Sequence, residues 1–254
     1  MAAGEDVAAV DGGYDVLLVV GAKQIGLGKI AKAARQLRLP EEKLLGDWIA
    51  CIPGFMLKKY RQLQRSRLSI FSKNCFGGLI SRTFGLPIRS PLWNLFVRND
   101  LECLYLYQNI HACLEKKLTF LEMRWHDVMK RNHPVACLGN VGLMMVHHLD
   151  FETAEADWNK YKARINWFNL FVMMFTKEEK ILAEFDALPY GKKVCFVPFK
   201  SDLDSAWYID PKIDFDRKEE GFYDVVNNFA RGKHFYYDPF DMLLYGKKTQ
   251  LIDM

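Results

Sequence analysis

Asn74-Cys75-Phe76-Gly77-Gly78 carries the residue types of a nucleophilic site. It follows Leu68-Ser-Ile-Phe71, an apolar run that reads as a strand, and precedes a segment that reads as a short helix. A thiol at a helix N-terminus is favoured as thiolate, because the aligned peptide dipoles place positive charge there. Beside it, the Asn74 amide and the unshielded N–H groups of Gly77 and Gly78 could stabilise an oxyanion. The competing expectation is that Cys75 is a small buried hydrophobe, a common fate of free cysteine.

A cysteine nucleophile needs a base. His147 and His148 close an apolar run just before a helix that begins near Asp150, so one imidazole is expected on a loop or strand edge. Successive side chains point in opposite directions, so only one of the pair faces a given site. Asp150 is placed to orient an imidazole. The alternative for either histidine is a surface or hydrogen-bonded structural role.

Other segments offer binding chemistry. Gly21-Ala-Lys-Gln-Ile-Gly26-Leu-Gly28-Lys29 follows the β-branched run Asp15 to Val20 and opens a helical pattern through Ile30, Ala33, Ala34 and Leu37. Backbone N–H groups in such a turn can hold a phosphate, with Gly21, Lys23 and Gly26 as the cofactor-binding candidates. Leu27 and Gly28 stand where a P-loop has its lysine and hydroxyl, and Asp47 precedes its strand, unlike the acid of a dinucleotide fold. A tight strand-to-helix turn is the plainer reading. The basic helix from Lys58 to Arg67 suits either an anionic ligand or a solvated face. In Arg164-Ile-Asn166-Trp-Phe-Asn169, two amides stand where apolar residues would be cheaper to bury; they either cap backbone groups or line the sheet edge that carries Cys75. No Cys-x-x-Cys or His-Glu-x-x-His occurs, and His111-Ala-Cys113 and His126 to His133 lack a fourth ligand, so no metal site is expected. Asp202-Leu-Asp204 has Asp-x-Asp spacing without a clear metal-binding context.

The elements that must position these groups alternate. Trp48 to Ile52, Leu68 to Phe71, Leu92 to Val97, Leu170 to Phe175 and Lys193 to Val197 read as strands. Helices are expected over Phe55 to Arg67, Asp100 to Glu115, Phe151 to Ile165 and Lys177 to Leu188. Leu118 to Met123 reads as extended, and Val135 to His148, broken by Gly139 and Gly142, as a hairpin. This alternation predicts an α/β fold with a largely parallel sheet, helices on both faces in three layers, and an irregular, aromatic-rich C-terminal region. The expected divisions are a disordered lead-in over 1–14, a short nucleotide-fold-like α/β extension over 15–66, an α/β core over 67–200 and a C-terminal wrap, cap or oligomer contact over 201–254.

Composition sets the outer limits. The 254 residues are 50% apolar and 26% charged, which excludes a disordered or collagen-like chain. Folding of such a chain removes about 75% of its unfolded surface from water. With 35 basic and 31 acidic residues the formal charge is +4, too slight for a predominantly electrostatic nucleic-acid binder. The six cysteines form no close pairs and are expected to be reduced. Without an export signal or an apolar stretch of spanning length, the expected protein is cytoplasmic, with no transmembrane segment.

Taken in order, Arg65-Ser-Arg-Leu-Ser-Ile-Phe-Ser-Lys-Asn-Cys-Phe-Gly-Gly78, Gly85-Leu-Pro-Ile-Arg-Ser-Pro91 with Asn94-Leu-Phe96, the helix from Phe151 through Trp158 to Asn166 with Asn169, and Glu184-Phe-Asp-Ala-Leu-Pro189 followed by Lys193-Val resemble a bacterial domain-of-unknown-function family. Its members are commonly labelled exopolysaccharide biosynthesis proteins. The likeness covers about residues 66–200. The family's Asn-Cys-x-Gly-Gly motif is matched at Asn74, Cys75, Gly77 and Gly78, and its histidine best matches His147. Leu149, Asp150 and Thr153 depart from the pattern, so the choice between His147 and His148 stays open. The Asn-Cys turn is also similar to that of capsule acetyltransferases with a hydrolase-like α/β fold.

The resemblance implies a role in exopolysaccharide or capsule synthesis, with an acyltransferase acting on a sugar or sugar nucleotide as the leading reading. Cys75, His147 or His148, and Asn74 would be catalytic, and Gly77, Gly78, Ser90, Arg164, Asn166 and Asn169 would contact substrate. Acyl-CoA is the candidate donor and a homo-oligomer a candidate assembly. Two alternatives stand beside it: a non-catalytic nucleotide-sugar-binding or assembly module, and a glycosyl or phosphoryl transferase using the Gly21 to Lys29 turn.

Overall fold

A computed structural model describes residues 17–19, 49–51, 57–127, 129–210, 222–232 and 235–250. The lead-in and the turn with Gly21, Lys23 and Gly26 lie outside the described residues. Two short strands flank that turn, β1 (Leu17–Val19) and β2 (Ile49–Cys51), and they pair antiparallel.

The central element is a four-stranded parallel sheet. β3 (Ser69–Ser72), β8 (Leu170–Phe175), β9 (Lys193–Val197) and β10 (Ala206–Tyr208) lie in the order β10-β9-β8-β3. Apolar residues run through β8 and most of β9 without polar alternation because both faces are buried, whereas β3 has Ser69 and Ser72 at its ends. Ile70, Phe171, Met173, Phe196 and Trp207 enter one core cluster, whereas Phe71, Val172, Met174, Cys195 and Val197 enter another. The first cluster is closed by α1 (Leu57–Arg65), α2 (Phe76–Thr83), α7 (Phe222–Ala230) and α8 (Pro239–Tyr245). α3 (Asp100–Gln108), α4 (Ile110–Glu115) and α6 (Glu179–Asp186) contribute to the second.

Parallel pairing covers only half of the main strands. β4 (Phe96–Val97), β5 (Thr119–His126), β6 (Arg131–Leu138) and β7 (Val141–Met144) form a second, antiparallel sheet in the order β4-β7-β6-β5. The expectation of a largely parallel sheet is thus corrected to a mixed α/β architecture. The reason lies in the connections: hairpins, not crossover helices, join β5 to β6 and β6 to β7, and hairpin strands must be antiparallel. In the second hairpin Leu138 pairs with Val141, which leaves Gly139-Asn140 as a two-residue loop. Gly139 has φ +65, the left-handed backbone that such a loop demands at its first position.

Helix ends follow local chemistry. The expected helix over Asp100 to Glu115 breaks at Asn109, whose side-chain amide donates to the Tyr105 carbonyl at 3.0 Å and competes with helix propagation. α5 (Phe151–Lys162) begins where Asp150 accepts a hydrogen bond from the Thr153 N–H at 2.8 Å, a cap worth about 1 kcal/mol. The expected strand over Leu92 to Val97 shrinks to β4, because Pro91 to Asn94 form turns and bends.

The described part of the C-terminal region carries two helices, α7 and α8. Phe229, Tyr236 and Phe240 are fully buried in the first core cluster, so these aromatics serve packing rather than an external contact. Lys73, just beyond β3, accepts the Val97 N–H of β4 at 2.8 Å through its carbonyl. This bond joins the end strand of the parallel sheet to the antiparallel sheet, and the site lies at that seam.

Candidate functional site

Cys75 stands between the carboxyl end of β3 and the first turn of α2. Its Sγ lies 3.3 Å from Nε2 of His147, which arrives from the loop after β7 on the other sheet. The seam between the sheets explains how residues 72 positions apart meet. Ser72 fixes the turn: its hydroxyl lies 2.6 Å from the Asn74 carbonyl oxygen and accepts the Gly77 N–H at 2.9 Å. Asn74 is fully buried, and its Oδ1 accepts the Phe76 N–H at 3.0 Å. At Gly78 a Cβ would come within 2.5 Å of the Trp93 carbonyl oxygen, so the helix approaches that backbone too closely for any other residue.

Two expectations are corrected here. The thiol is not acidified: Cys75 is 6% exposed, and burial pushes its pKa up to about 12 against the opposing pull of the Arg231 guanidinium. Desolvation therefore outweighs the favourable helix end. The expected oxyanion cradle is engaged in part, since Ser72 Oγ takes the Gly77 N–H and Asn74 Nδ2 faces Asn227 Oδ1 at 3.5 Å.

His147 complements this state. Desolvation of the ring and the nearby charges of Arg131, His148 and His126 lower its pKa to about 4. A thiol held above neutral pH faces an imidazole held below it, so the resting pair is neutral Cys–SH and neutral imidazole. The resting pair is therefore not a thiolate–imidazolium ion pair, and attack by the thiol would require its proton to pass to His147 as the sulfur bond forms.

His148 faces elsewhere. Its Nε2 lies 3.3 Å from Asp157 Oδ2 on α5. Asp150 caps α5 instead of orienting an imidazole. The neighbouring histidines thus divide, one to the thiol and one to a carboxylate.

Sequence reasoning passed over further polar groups at this edge. Lys73 pairs with Asp100, whose other oxygen accepts from Thr176 Oγ1 at 2.6 Å. Lys73 and Thr176 directly follow β3 and β8, at the edge where open parallel sheets bind ligands. Asn227 on α7 lies with Oδ1 3.5 Å from Asn74 Nδ2. The available signals were Lys73 within the motif and two amides, Asn227 and Asn228, in an apolar helix. Among the described residues, no three His, Cys, Asp or Glu side chains converge as a metal site.

Of the remaining substrate candidates, the two amides lie at the other end of the strands from the thiol. Asn166 donates through Nδ2 to the Arg67 carbonyl at 3.0 Å, and Asn169 donates to the Ser66 carbonyl at 2.7 Å. Both amides therefore secure the amino ends of β3 and β8, opposite Cys75, and the backbone-capping alternative is the one realised. Arg164 is exposed at the far end of α5, its guanidinium 5.3 Å from the Tyr161 ring centre. Ser90 is buried, with Oγ accepting the Leu92 N–H at 3.1 Å.

The chain belongs to the family described as Domain of unknown function (DUF1919), whose pattern matches residues 51–245. The match takes in both sheets, Cys75 and His147. It is also similar to an uncharacterized protein of Haemophilus influenzae, 29% identical over 186 residues that cover 71% of this chain and 84% of the relative. Neither description carries a reaction or a pathway.

Proposed function

We propose that this protein is a thiol-dependent acyltransferase whose acceptor is a hydroxyl of a sugar or nucleotide sugar, acting in exopolysaccharide or capsule synthesis. The observation that carries the chemistry is the 3.3 Å approach of Cys75 Sγ to His147 Nε2 at the carboxyl edge of a parallel sheet. The sugar acceptor and the pathway rest on the sequence resemblance.

In the first half-reaction Cys75 Sγ bonds to the acyl carbon of an acyl-CoA while its proton passes to His147 Nε2. The carbon–sulfur bond to CoA then breaks, and the imidazolium protonates the departing thiolate. In the second half, His147 takes the proton of the acceptor hydroxyl, whose oxygen attacks the enzyme thioester. An ester forms, the Cys75 Sγ–carbon bond breaks, and the proton returns to Sγ. Arg231, whose charge favours the thiolate form of Cys75, is the group best suited to offset developing negative charge.

Incubation with acetyl-CoA followed by intact-mass analysis tests this reading. The expected result is one acetyl adduct on Cys75, lost on adding acceptor and absent in Cys75→Ala. A wild-type protein that forms no adduct and releases no free CoA with any acyl donor would overturn it. The burial of Cys75 favours a second reading, a nucleotide-sugar-binding module in which the thiol only packs. That reading expects thermal stabilisation by a nucleotide sugar, no turnover, and undiminished binding by Cys75→Ala.

A further inference from the structure

β5 is eight residues long and, among the described residues, is an edge strand of the antiparallel sheet, paired on one side with β6. Its residues 119–125 are all exposed, including Leu121 at 50%, Met123 at 42% and Trp125 at 53%. Monomeric proteins usually blunt such an edge with proline, lysine or a very short strand. Here a bulge between Phe120 and Glu122 interrupts the strand near its start, and beyond it the edge carries large apolar side chains.

Pro134 reveals which backbone groups β5 leaves open. Pro134 sits opposite Met123 and has no N–H, and its carbonyl accepts the Met145 N–H at 2.9 Å from the β7 side. The N–H and C=O of a strand residue in an antiparallel ladder point to the same side, so Pro134 bonds away from β5. Met123 is then in a non-hydrogen-bonded pair, and its own N–H and C=O point outward from the sheet. By the two-residue alternation, those of Trp125 do the same.

The side chains around Met123 are self-complementary. In a two-fold antiparallel pairing centred on Met123, Glu122 of one copy stands opposite Arg124 of the other, twice. Met123 meets itself, and Trp125 reaches the bulge at Leu121 of the other copy. Beyond the bulge at Leu121, alternation places Met123 and Trp125 on one face and Glu122 and Arg124 on the other, so that charges meet opposite charges across the axis. A two-fold axis requires this kind of isologous match.

We propose that β5 is the dimerisation strand and that its partner is a second copy of this chain, paired antiparallel about Met123. The two four-stranded sheets then become one eight-stranded sheet across the two-fold axis. The loop carrying His147 is tied to the same region, because Arg131, at the start of β6, donates to the Val146 carbonyl at 3.0 Å.

Sedimentation velocity over a concentration series of the full chain tests the proposal. Wild type is expected to sediment as a reversible dimer. Met123→Pro removes an outward N–H that β6 does not use, so it is expected to give a monomer with an unchanged circular dichroism spectrum. Glu122→Arg sets arginine against arginine twice and is expected to raise the dimer dissociation constant about tenfold, with recovery in the Glu122→Arg/Arg124→Glu double variant. If Met123→Pro fails to fold, the charge-swap pair decides alone. A wild-type monomer at every concentration overturns the proposal, as does a dimer indifferent to these substitutions.

Discussion

At the carboxyl ends of β3 and β8, Lys73, Cys75 and Thr176 meet Asp100 and His147 from other elements. At the amino ends of the same two strands, Ser66, Ser69, Asn166 and Asn169 meet one another. The amino end spends most of its side-chain hydrogen bonds on the backbone, holding Arg67 at φ +51 and closing the turn before β8, while Asn169 Oδ1 also accepts from Lys192 Nζ. An open depression of about 820 Å³ beside it is lined by Arg61, Arg65, Lys192 and Asn169. The carboxyl end also fixes its turn through Ser72 and Asn74, and in addition it joins side chains to one another and sets a titratable pair in contact. Polar residues at a sheet edge are therefore no guide to chemistry by themselves; what their hydrogen bonds hold separates the two ends.

Substitution of His147 should divide these ends most sharply. His147→Ala is expected to slow acylation of Cys75 by about 10²- to 10⁴-fold, the usual worth of a general base, with little change in thermal stability. The wild-type rate should keep its base in the neutral form down to about pH 4, where His147 titrates, rather than falling near 6.5. The linked effect on stability runs in a fixed direction. The unfolded imidazole takes up a proton below about 6.5 and the folded one only near 4, so this contribution is present above 6.5 and lost as pH falls between the two. An acid limb near 6.5 in stopped-flow acylation would contradict the geometry assigned to His147.

Gly78→Ala should act through packing at the same end. The added methyl group would meet the Trp93 carbonyl oxygen at 2.5 Å, and backbone cannot swing aside as a flexible side chain can. A loss of about 1–3 kcal/mol in urea unfolding is expected. Unaltered stability would show that the seam between α2 and Trp93 is looser than drawn. At the opposite end, Asn169→Ala should cost about 1–2 kcal/mol by leaving the Ser66 carbonyl unpaired, while Cys75 acylation per folded molecule stays unchanged. A matching fall in acylation would mean that the two ends are coupled.

What the sequence disclosed follows the range of the forces involved. Strands such as Lys193–Val197 were legible because burial on both faces writes an unbroken apolar run, and α5 because its cap and charged ends are local. The antiparallel sheet was less legible: Val135 to His148 read as a hairpin, but nothing local in Leu118 to Met123 says that this exposed stretch pairs with β6. Cys75 was found from its turn, and the thiol's raised pKa was not, because desolvation depends on what the rest of the chain packs around it. Asp157 is the same kind of miss. It lies 9 residues from His148, on the helix face that turns toward it, whereas Asp150 was nearer in sequence and served only as a cap.

Asp157 also offers the smallest and most discriminating test. Its carboxylate is one-third exposed and is shared between His148 and Lys160, so water already screens much of the attraction. Asp157→Asn is expected to cost less than about 1 kcal/mol in urea unfolding. Asparagine keeps the shape and a hydrogen-bonding oxygen, so His148 stays in place while the negative charge beside it is removed. If His147 alone serves the thiol, the rate of Cys75 acylation and its acid limb should both stay where they are. A rate loss as large as that of His147→Ala would instead assign the base role to the His148–Asp157 pair, and the contact at Cys75 Sγ would then be one of packing.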